Sequence, residues 1–424
     1  MATAHTFSGV DGYRRVASLI GLSAEETAAR EEALQASYMP FKVTRFYAEL
    51  IASLPEPERT QLLNVIVPPV GARPFVGRFD PYGNASYRAK DQPFIQHKYE
   101  KTLLLHIDDY CIANCQFCYK VREIRTTHTS ALSFEDKITA ASSYLENHPE
   151  IDNVLFTGGD PAAFRRTDQL VSLIDKLLSR KSIRIVRFAT KGLAYDPERF
   201  MDSELLEFFR RIGQRYDQQV SVIAQINHPA EITPQAATAL RALADLRVQV
   251  RGQPAIASGI NDSVDTLTRL QRLYIDHRVV PYYFTIFMPV RGVEQYALSL
   301  DAAVLLMDAS RRQLNGLEKK CVLLASHDFG KIEVVGFAPS VEEPASIVLR
   351  WHQAAMARYL PTALVAAIPT RPHDIVILEF RPNVTFNVDQ LFAYNGLPHF
   401  DEEGRFVDSQ IALRRGAVAT TTSA

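Results

Sequence analysis

Three cysteines lie close together in the segment CIANCQFC, at positions 111, 115 and 118 of a chain of 424 residues. A structural zinc ion usually takes four ligands in two separated pairs, and the sequence offers no second pair. Three thiolates instead suit a [4Fe-4S] cluster whose fourth iron stays open to a group that is not protein. The spacing therefore predicts a reactive cluster on Cys111, Cys115 and Cys118, whereas the distant Cys321 is interpreted as a buried small apolar residue.

The composition argues against several other functions. Lysine plus arginine number 47 and aspartate plus glutamate number 48, so the formal net charge of -1 gives no surface suited to nucleic acid. The N-terminus lacks a basic segment leading into an apolar core, and the sequence has no apolar run long enough to span a membrane. We therefore expect a cytoplasmic protein with no membrane partner, whose thiols stay reduced rather than forming a disulfide framework.

Six short apolar segments, each followed by a segment of helical periodicity, occupy the middle of the chain. We predict strands in residues 102–107, 153–157, 183–190, 219–226, 247–256 and 279–287. Alternating strands and helices are typical of a parallel sheet with helical crossovers, so the predicted fold is α/β, a partial (β/α)6 barrel of parallel strands. In such barrels the chemistry lies in the loops after the strands, and the cysteine segment directly follows the first strand.

The flanking regions set the predicted domain organisation. Residues 1–95 form an N-terminal helical and connective segment, residues 96–340 form the barrel with its site, and residues 341–424 form a C-terminal extension. The extension breaks the alternation of strands and helices, although HDIVILEF predicts one strand within it. Its sequence indicates no role.

At the cysteine segment, the C-x3-C-x2-C spacing resembles that of the radical S-adenosylmethionine enzymes. The resemblance implies that the amino and carboxylate groups of S-adenosylmethionine chelate the open iron and that Phe117 packs near the adenine. The segment FTGGDP, residues 156–161, resembles the glycine-rich segment of that family, so Gly158, Gly159 and Asp160 are expected to bind S-adenosylmethionine. The resemblance also implies an electron donor, such as flavodoxin or ferredoxin, as a partner.

Three later segments, QINHPAEIT (225–233), GQPAIASGINDSVDTL (252–267) and VPYYFTIFMPVRG (280–292), resemble the strand ends of lysine 2,3-aminomutase and its relatives. Those enzymes also hold pyridoxal 5'-phosphate on a lysine, and Lys331 in ASHDFGKIEVVGF occupies that place, which implies that it is the catalytic lysine. Attachment to a carbonyl needs an amine able to lose its proton, and the pyridine ring can then stabilise an unpaired electron. The resemblance implies four more cofactor-binding residues: Lys98 and Arg187 at the phosphate, and His228 and Gln253 at S-adenosylmethionine.

Two of these assignments have alternatives in the sequence itself. A histidine followed by proline is often a cap or turn residue, so His228 has that second interpretation. A lysine such as Lys98 is often solvated charge on the surface.

The substrate positions depart from the family pattern. The lysine mutases that this sequence resembles have two aspartates that pair with the distal ammonium of the substrate. Met288 and Leu324 stand in the places of these aspartates. A buried ammonium facing these apolar residues would lose its charge partners at a cost of several kcal/mol, which argues against free lysine. Lys120 stands in the place of the family arginine that binds the substrate carboxylate, and Arg122 on the same loop is the alternative.

Two enzymatic hypotheses and one non-enzymatic hypothesis follow. The first is a radical 2,3-aminomutase, an isomerase that converts an α-amino acid other than lysine into a β-amino acid. The second is a radical enzyme of the same fold that consumes S-adenosylmethionine in an oxidation, deamination or dehydration without amino migration. The enzymes that this sequence resembles have a run of glycines before the cofactor lysine. The segment SHDFG replaces that run here, and this replacement favours the second hypothesis. The third is a scaffold that holds a cluster or zinc.

The expected partners are an amino acid substrate and the electron donor, and the sequence leaves open whether the protein forms a homo-oligomer.

Overall fold

The computed structural model describes residues 6–71, 77–121, 133–163, 167–180, 182–214, 217–338, 346–356, 358, 360–368 and 370–408. The strands, in chain order, are β1 (Thr6–Ser8), β2 (Lys42–Thr44), β3 (Arg88–Ala89), β4 (Gln92–Tyr99), β5 (Thr102–Asp108), β6 (Asn153–Gly158), β7 (Ile185–Thr190), β8 (Gln219–Ala224), β9 (Gln249–Gly252), β10 (Ala255–Ile256), β11 (Val279–Pro281), β12 (Tyr283–Ile286), β13 (Val322–His327), β14 (Gly330–Phe337), β15 (Ser346–Ala354), β16 (Ile375–Glu379), β17 (His399–Phe400) and β18 (Phe406–Val407). The helices are α1 (Gly9–Ile20), α2 (Ala24–Ala36), α3 (Arg45–Ser53), α4 (Glu58–Ile66), α5 (Phe134–Glu146), α6 (Thr167–Leu178), α7 (Gly192–Tyr195), α8 (Ser203–Gly213), α9 (Pro234–Asp245), α10 (Val264–Asp276), α11 (Leu300–Arg311), α12 (Thr362–Ala367) and α13 (Val388–Tyr394).

A parallel sheet forms the middle of the molecule. Strands β5, β6, β7, β8, β9 and β11 lie side by side in chain order, each parallel to its neighbours. Helices between successive strands bury their apolar faces against the sheet in the main core. Val186 and Phe188 of β7 belong to this core, so Arg187 between them points to the other face of the sheet. The predicted α/β fold with parallel strands is confirmed.

A second sheet continues the first. The predicted strand 247–256 is divided into β9 and β10, and 279–287 is divided into β11 and β12 at Tyr282. The later halves begin a sheet of order β10-β12-β13-β14-β15-β16, in which the strands from β13 onward are antiparallel. The described strands form open sheets rather than a closed ring, so the partial (β/α)6 barrel stays a prediction.

The N-terminal helices form a second apolar core around the cysteine loop. Side chains of α1, α3 and α4 pack in one cluster with Ile112, Ala113 and Phe117 of that loop. The side-chain oxygens of Ser23 and Thr44 cap α2 and α3 by accepting backbone N–H groups of their first turns. The segment predicted as helical is therefore the support on which the loop lies. No helix of the described residues has the length and apolar character needed to cross a membrane.

The C-terminal segment is continuous with the main core. Leu391 and Phe392 of α13 are fully buried in it. The Phe392 ring stacks on Trp351 of β15, with the ring centroids 6.4 Å apart. The sequence did not indicate a role for the residues after 340. They contribute two antiparallel strands, β15 and β16, to the second sheet and one helix, α13, that packs against it.

Replacing Phe392 by alanine is expected to lower the free energy of unfolding by about 3 kcal/mol or more, because it leaves a cavity in the main core. Tyr394→Ala on the same helix is the matched control. Its side chain is 42% exposed, so the expected change is only about 0.5 kcal/mol. Urea unfolding followed by circular dichroism measures both variants, and equal effects would contradict the integration of α13 into the core.

Candidate active site

The cysteine loop starts where β5 ends, and the N-terminal segment fixes its backbone. The Asn114 N–H donates to the Lys42 carbonyl at 2.8 Å, and the Gln116 N–H donates to the Val65 carbonyl at 2.8 Å. The Lys42 ammonium donates to the carbonyl of Cys111, also at 2.8 Å. These bonds hold the backbone on both sides of Cys115, so the loop presents its thiols in fixed directions.

The three predicted cluster ligands are partly buried thiols on this loop. The Cys115 sulfur lies 3.0 Å from the Tyr195 hydroxyl. Burial raises the pKa of Cys115 to about 12 and holds the pKa of Cys111 well above its usual value. Thiolates in this setting need a positive partner, and the irons of a cluster would supply it. Phe117, the predicted adenine neighbour, is buried against the ring of Tyr296, with centroids 5.8 Å apart.

The separation of the sulfurs favours a cluster over a single ion. Within the described parts of the chain, the three cysteine sulfurs are not gathered within 4.8 Å of one another, whereas ligand atoms of His97, His148 and Glu150 are. In a cuboidal cluster each thiolate binds a different iron, which suits wider spacing. The two ring nitrogens of His97 already contact the Tyr144 hydroxyl and the Glu100 carbonyl. That histidine therefore has a sufficient structural role.

The glycine pair after β6 lies directly against the cysteine loop. Gly158 has φ +111°, and a side chain there would place its Cβ 2.1 Å from the Asp108 carbonyl oxygen. A Cβ on Gly159 would lie 2.2 Å from the Tyr110 carbonyl oxygen. The Gly159 N–H donates to the Asp108 carbonyl at 2.6 Å. The glycines are thus required by close backbone packing within the chain, in addition to any ligand that approaches them.

A belt of buried polar contacts continues from the glycine pair to the next strand ends. The Asp160 carboxylate accepts hydrogen bonds from the Thr190 hydroxyl at 2.6 Å and from the Lys191 N–H at 2.8 Å. The Lys191 ammonium donates to Glu231 at 2.5 Å. Glu231, fully buried, also accepts from the Tyr47 hydroxyl at 2.8 Å. We name these residues the polar belt; it joins the carboxyl ends of β6, β7 and β8 to the N-terminal segment.

The two residues predicted near S-adenosylmethionine differ in their surroundings. His228 is buried, its Nδ1 accepts from the Ala230 N–H, and its Nε2 lies 2.9 Å from the Gln61 side-chain oxygen. Burial lowers the pKa of His228 to about 4, so the ring is neutral. These are the contacts of a cap residue, the second interpretation of the sequence. Gln253 lies at the end of β9, half-buried, and its backbone N–H donates to Ala224.

Asn227, beside His228, has an unusual environment. Its side chain is fully buried, and both amide atoms are without a hydrogen-bond partner among the described residues. Buried amides left without partners are costly, so a polar ligand is the natural complement to this side chain.

Lys331 lies on β14 in a cationic and aromatic environment. Its ammonium is 5.0 Å from the ring centroid of Tyr283 and 5.4 Å from that of Tyr99. Burial, with Arg187 and Lys98 nearby, lowers the pKa of Lys331 to about 7. A substantial fraction of this lysine is therefore an uncharged amine at neutral pH, as attachment to a carbonyl requires.

Two arginines share this region without a carboxylate partner. Arg187 donates to the Asn153 side-chain oxygen at 2.9 Å, and Arg251 lies over the Tyr282 ring at 5.0 Å. In the described chain, no ion pair joins Arg187, Arg251 or Lys331 to a carboxylate. Burial and Arg251 both lower the pKa of Arg187. An excess of partly buried positive charge of this kind suits an anionic ligand such as a phosphate.

Lys98, the other predicted phosphate ligand, is directed at the backbone. Its ammonium donates to the Tyr82 carbonyl at 2.9 Å and to the His327 carbonyl at 2.5 Å. Burial lowers the pKa of Lys98 to about 8. One N–H donor of Lys98 thus holds the hairpin turn between β13 and β14 at His327, close to Lys331, and a second holds the segment of Tyr82.

The same hairpin turn is fixed by the C-terminal segment. Arg78 forms ion pairs with Asp328 of the turn and, at 3.0 Å, with Asp389 of α13. Asp389 also contacts His327 Nε2 at 3.0 Å and accepts from the Phe400 N–H at 2.9 Å. The SHDFG segment therefore forms an internal network in place of a glycine-rich approach to a ligand.

The predicted substrate residues lie in two places. Lys120 donates to the Thr157 hydroxyl and, at 3.0 Å, to the Gly158 carbonyl, so its ammonium lies beside the glycine pair. Met288 and Leu324 are buried, with 2% and 1% of their surfaces exposed. Met288 lines a cavity of about 220 Å³ that Arg78 and Asp389 also border. Arg122 lies outside the described residues.

Several residues of this region were not predicted from the sequence. Arg251 alternates with core-facing residues of β9 in the same way as Arg187 does in β7, and this pattern could have identified it. Tyr195, Glu231 and Asp389 carry no local signal, because each acquires its role through a contact with a distant segment.

Replacing Arg187 by glutamine is expected to raise the pKa of Lys331, because it removes a neighbouring positive charge that disfavours the ammonium form. The amine fraction grows as the pH rises through the pKa, so acetylation of Lys331, measured by mass spectrometry, should have a midpoint near pH 7 in the parent protein. The midpoint should move to higher pH in the variant. Arg210→Gln, at an exposed ion pair with Glu207, is the control, and identical midpoints in all three proteins would contradict the assignment.

Comparison with known proteins gives the chain its relatives. No protein-family model matches it. A protein of Aquifex aeolicus (strain VF5), described provisionally as an L-lysine 2,3-aminomutase, is 29% identical over 316 residues, which is 74% of this chain and 81% of that protein. The L-lysine 2,3-aminomutase of Fusobacterium nucleatum is 27% identical over 63% of this chain and 61% of its own length. The glutamate 2,3-aminomutase of Clostridioides difficile is 27% identical over 53% of this chain and 51% of its own length.

Similarity to solved structures is weaker. The crystal structure of Streptococcus suis SuiB bound to S-adenosylmethionine aligns with 54% of this chain and 51% of its own, with 12% identity and a TM-score of 0.41. The sequence relatives are the informative ones. The chain is similar to the lysine 2,3-aminomutases over most of its length, and the resemblance predicted from its motifs is confirmed.

Proposed function

We propose that the protein is a cytoplasmic radical S-adenosylmethionine enzyme that uses pyridoxal 5'-phosphate to move the amino group of an α-amino acid from C2 to C3. A hydrogen moves in the opposite direction, so the product is a β-amino acid and the reaction is an isomerisation. The observation that carries the proposal is the environment of Lys331, an amine with a pKa near 7 among tyrosine rings and two arginines without carboxylate partners.

The residues on the cysteine loop fit the iron-sulfur group. Three thiols on one fixed loop supply three ligands and leave a fourth position for S-adenosylmethionine. The glycine pair and Lys120 lie beside this loop. In this proposal Cys111, Cys115 and Cys118 bind the cluster, and the unpartnered amide of Asn227 offers a further polar contact at the neighbouring strand end.

The residues around Lys331 fit pyridoxal phosphate. Lys331 would hold its carbonyl carbon, Arg187 and Arg251 would neutralise its phosphate, and the Tyr99 and Tyr283 rings would border its pyridine ring. When bound, the cluster with S-adenosylmethionine supplies hydrogen-atom abstraction from an unactivated carbon, and pyridoxal phosphate stabilises an unpaired electron beside nitrogen. The chain itself lowers the pKa of Lys331, and no carboxylate among the described residues forms an ion pair with this lysine.

The two candidate cofactor positions are neighbours. Tyr119, next to Cys118, packs edge-on against Tyr82, with ring centroids 4.6 Å apart. The Tyr82 carbonyl accepts from Lys98, whose charge contributes to the lowered pKa of Lys331. A substrate attached near Lys331 would therefore lie within a few side chains of the cluster, as direct hydrogen transfer between them requires. This nearness and the six parallel strands also support the partial barrel as the framework of the site.

The side chain of the substrate is proposed to be something other than an amine. Met288 and Leu324 are buried and apolar, so neither can pair with a distal ammonium. Lys120 retains one donor beyond its two bonds and is the candidate ligand for the substrate carboxylate, with Arg122 as the alternative.

A second function is supported by a specific observation. The hairpin turn that precedes Lys331 is filled by its own network with Arg78 and Asp389, and Lys98 is bonded to backbone carbonyls. These contacts favour a radical enzyme that consumes S-adenosylmethionine for another reaction and does not bind pyridoxal phosphate.

The visible absorption of anaerobically prepared protein with added pyridoxal phosphate tests the first function. The parent protein should show the band of lysine-bound pyridoxal phosphate after subtraction of the cluster spectrum, and Lys331→Ala should lack it. Lys319→Ala, at an exposed lysine, is the control and should keep the band. Absence of the band from the parent protein would reject the aminomutase in favour of the second function.

Product analysis with a panel of α-amino acids separates the two functions further. An isomerisation that regenerates S-adenosylmethionine should yield many molecules of β-amino acid for each 5'-deoxyadenosine released. Equal amounts of 5'-deoxyadenosine and product would support the second function instead.

A further inference from the structure

Tyr195 is buried beside the cysteine loop with its hydroxyl directed at one ligand sulfur. The distance from the hydroxyl oxygen to Cys115 Sγ is 3.0 Å, and the side chain is 1% exposed. We propose that Tyr195 is a positioning residue that donates a hydrogen bond to the Cys115 thiolate and thereby raises the reduction potential of the cluster. This inference rests on the proposed function, because it requires the iron-sulfur cluster on the three cysteines.

The chemistry of the ligand decides the direction of this hydrogen bond. A cysteine that binds iron is a thiolate without a proton, so only the tyrosine hydroxyl can donate. No other partner of this hydroxyl is present in the described part of the chain. Reduction adds negative charge to the cluster and its sulfurs, so the hydrogen bond is stronger in the reduced state. The potential therefore becomes less negative.

The position of Tyr195 is fixed by contacts on three sides. It ends the one-turn helix α7 after β7, and its carbonyl accepts from the Thr44 hydroxyl at 2.7 Å. Its ring packs edge-on against Tyr47, with centroids 4.8 Å apart, and the Lys191 ammonium lies 5.3 Å from the ring centroid. The hydroxyl is therefore held at the sulfur by the same polar belt that joins the strand ends.

Tyr195→Phe removes the hydroxyl and leaves the ring contacts. The full-length protein with its cluster reconstituted is titrated with dithionite under anaerobic conditions, and the reduced cluster is followed by electron paramagnetic resonance. The midpoint potential should become more negative in Tyr195→Phe. Tyr13→Phe is the matched control, because it removes a tyrosine hydroxyl of the same N-terminal core that donates to the Thr27 carbonyl rather than to a sulfur, and it should keep the parent potential.

Replacement of Tyr195 by 3-fluorotyrosine is a second test that keeps the hydroxyl and the fold. The fluorinated hydroxyl is the stronger donor, so the midpoint potential should become less negative than in the parent protein. Equal potentials in the parent protein and both Tyr195 variants would overturn the inference while leaving the cluster assigned. Absence of iron and of a reduced-cluster signal from the parent protein would overturn the proposed function and this inference together.

Discussion

The close approach of two backbones is the constraint on which the site depends. Gly158 and Gly159 pass so near the carbonyls of Asp108 and Tyr110 that no side chain fits between them. This contact brings the end of β6 against the start of the cysteine loop. The polar belt then extends the same arrangement through Asp160 to the ends of β7 and β8. The positions of the cysteines relative to three later strands therefore follow from one packing requirement.

Local patterns predicted the elements that repeat and missed those that depend on distant contacts. The six strands and the helices between them have periodic apolar residues, and all are present. The antiparallel strands β13 and β14 were missed, because their residues were interpreted singly, as at Cys321, or as part of a cofactor segment. Strand β15 was missed because it lies in the extension that breaks the alternation of strands and helices. The prediction of the cysteines and of Lys331 as site residues rests on motif order. The role of Tyr195 or Asp389 was not predicted, since it arises only when separate segments meet.

Uncompensated positive charge defines the region around Lys331. Burying lysine side chains is unfavourable, and the lowered pKa values of Lys331 and Lys98 express that cost. The carboxylates that the fold does bury nearby, Asp328 and Asp389, are used by Arg78. The C-terminal segment thus keeps negative charge on one side of the hairpin turn and leaves the lysine side positive.

The pairing of Arg78 with Asp389 has a consequence for when Lys331 acquires its lowered pKa. The two residues are 311 positions apart in sequence. Closing so large a loop costs the chain conformational freedom, so this contact belongs to the folded state. Until the hairpin turn is fixed, Lys331 is an ordinary solvated lysine with a pKa of about 10.4, almost entirely protonated. The free amine at Lys331 is therefore a property of the folded chain, and an unfolded chain lacks it almost entirely.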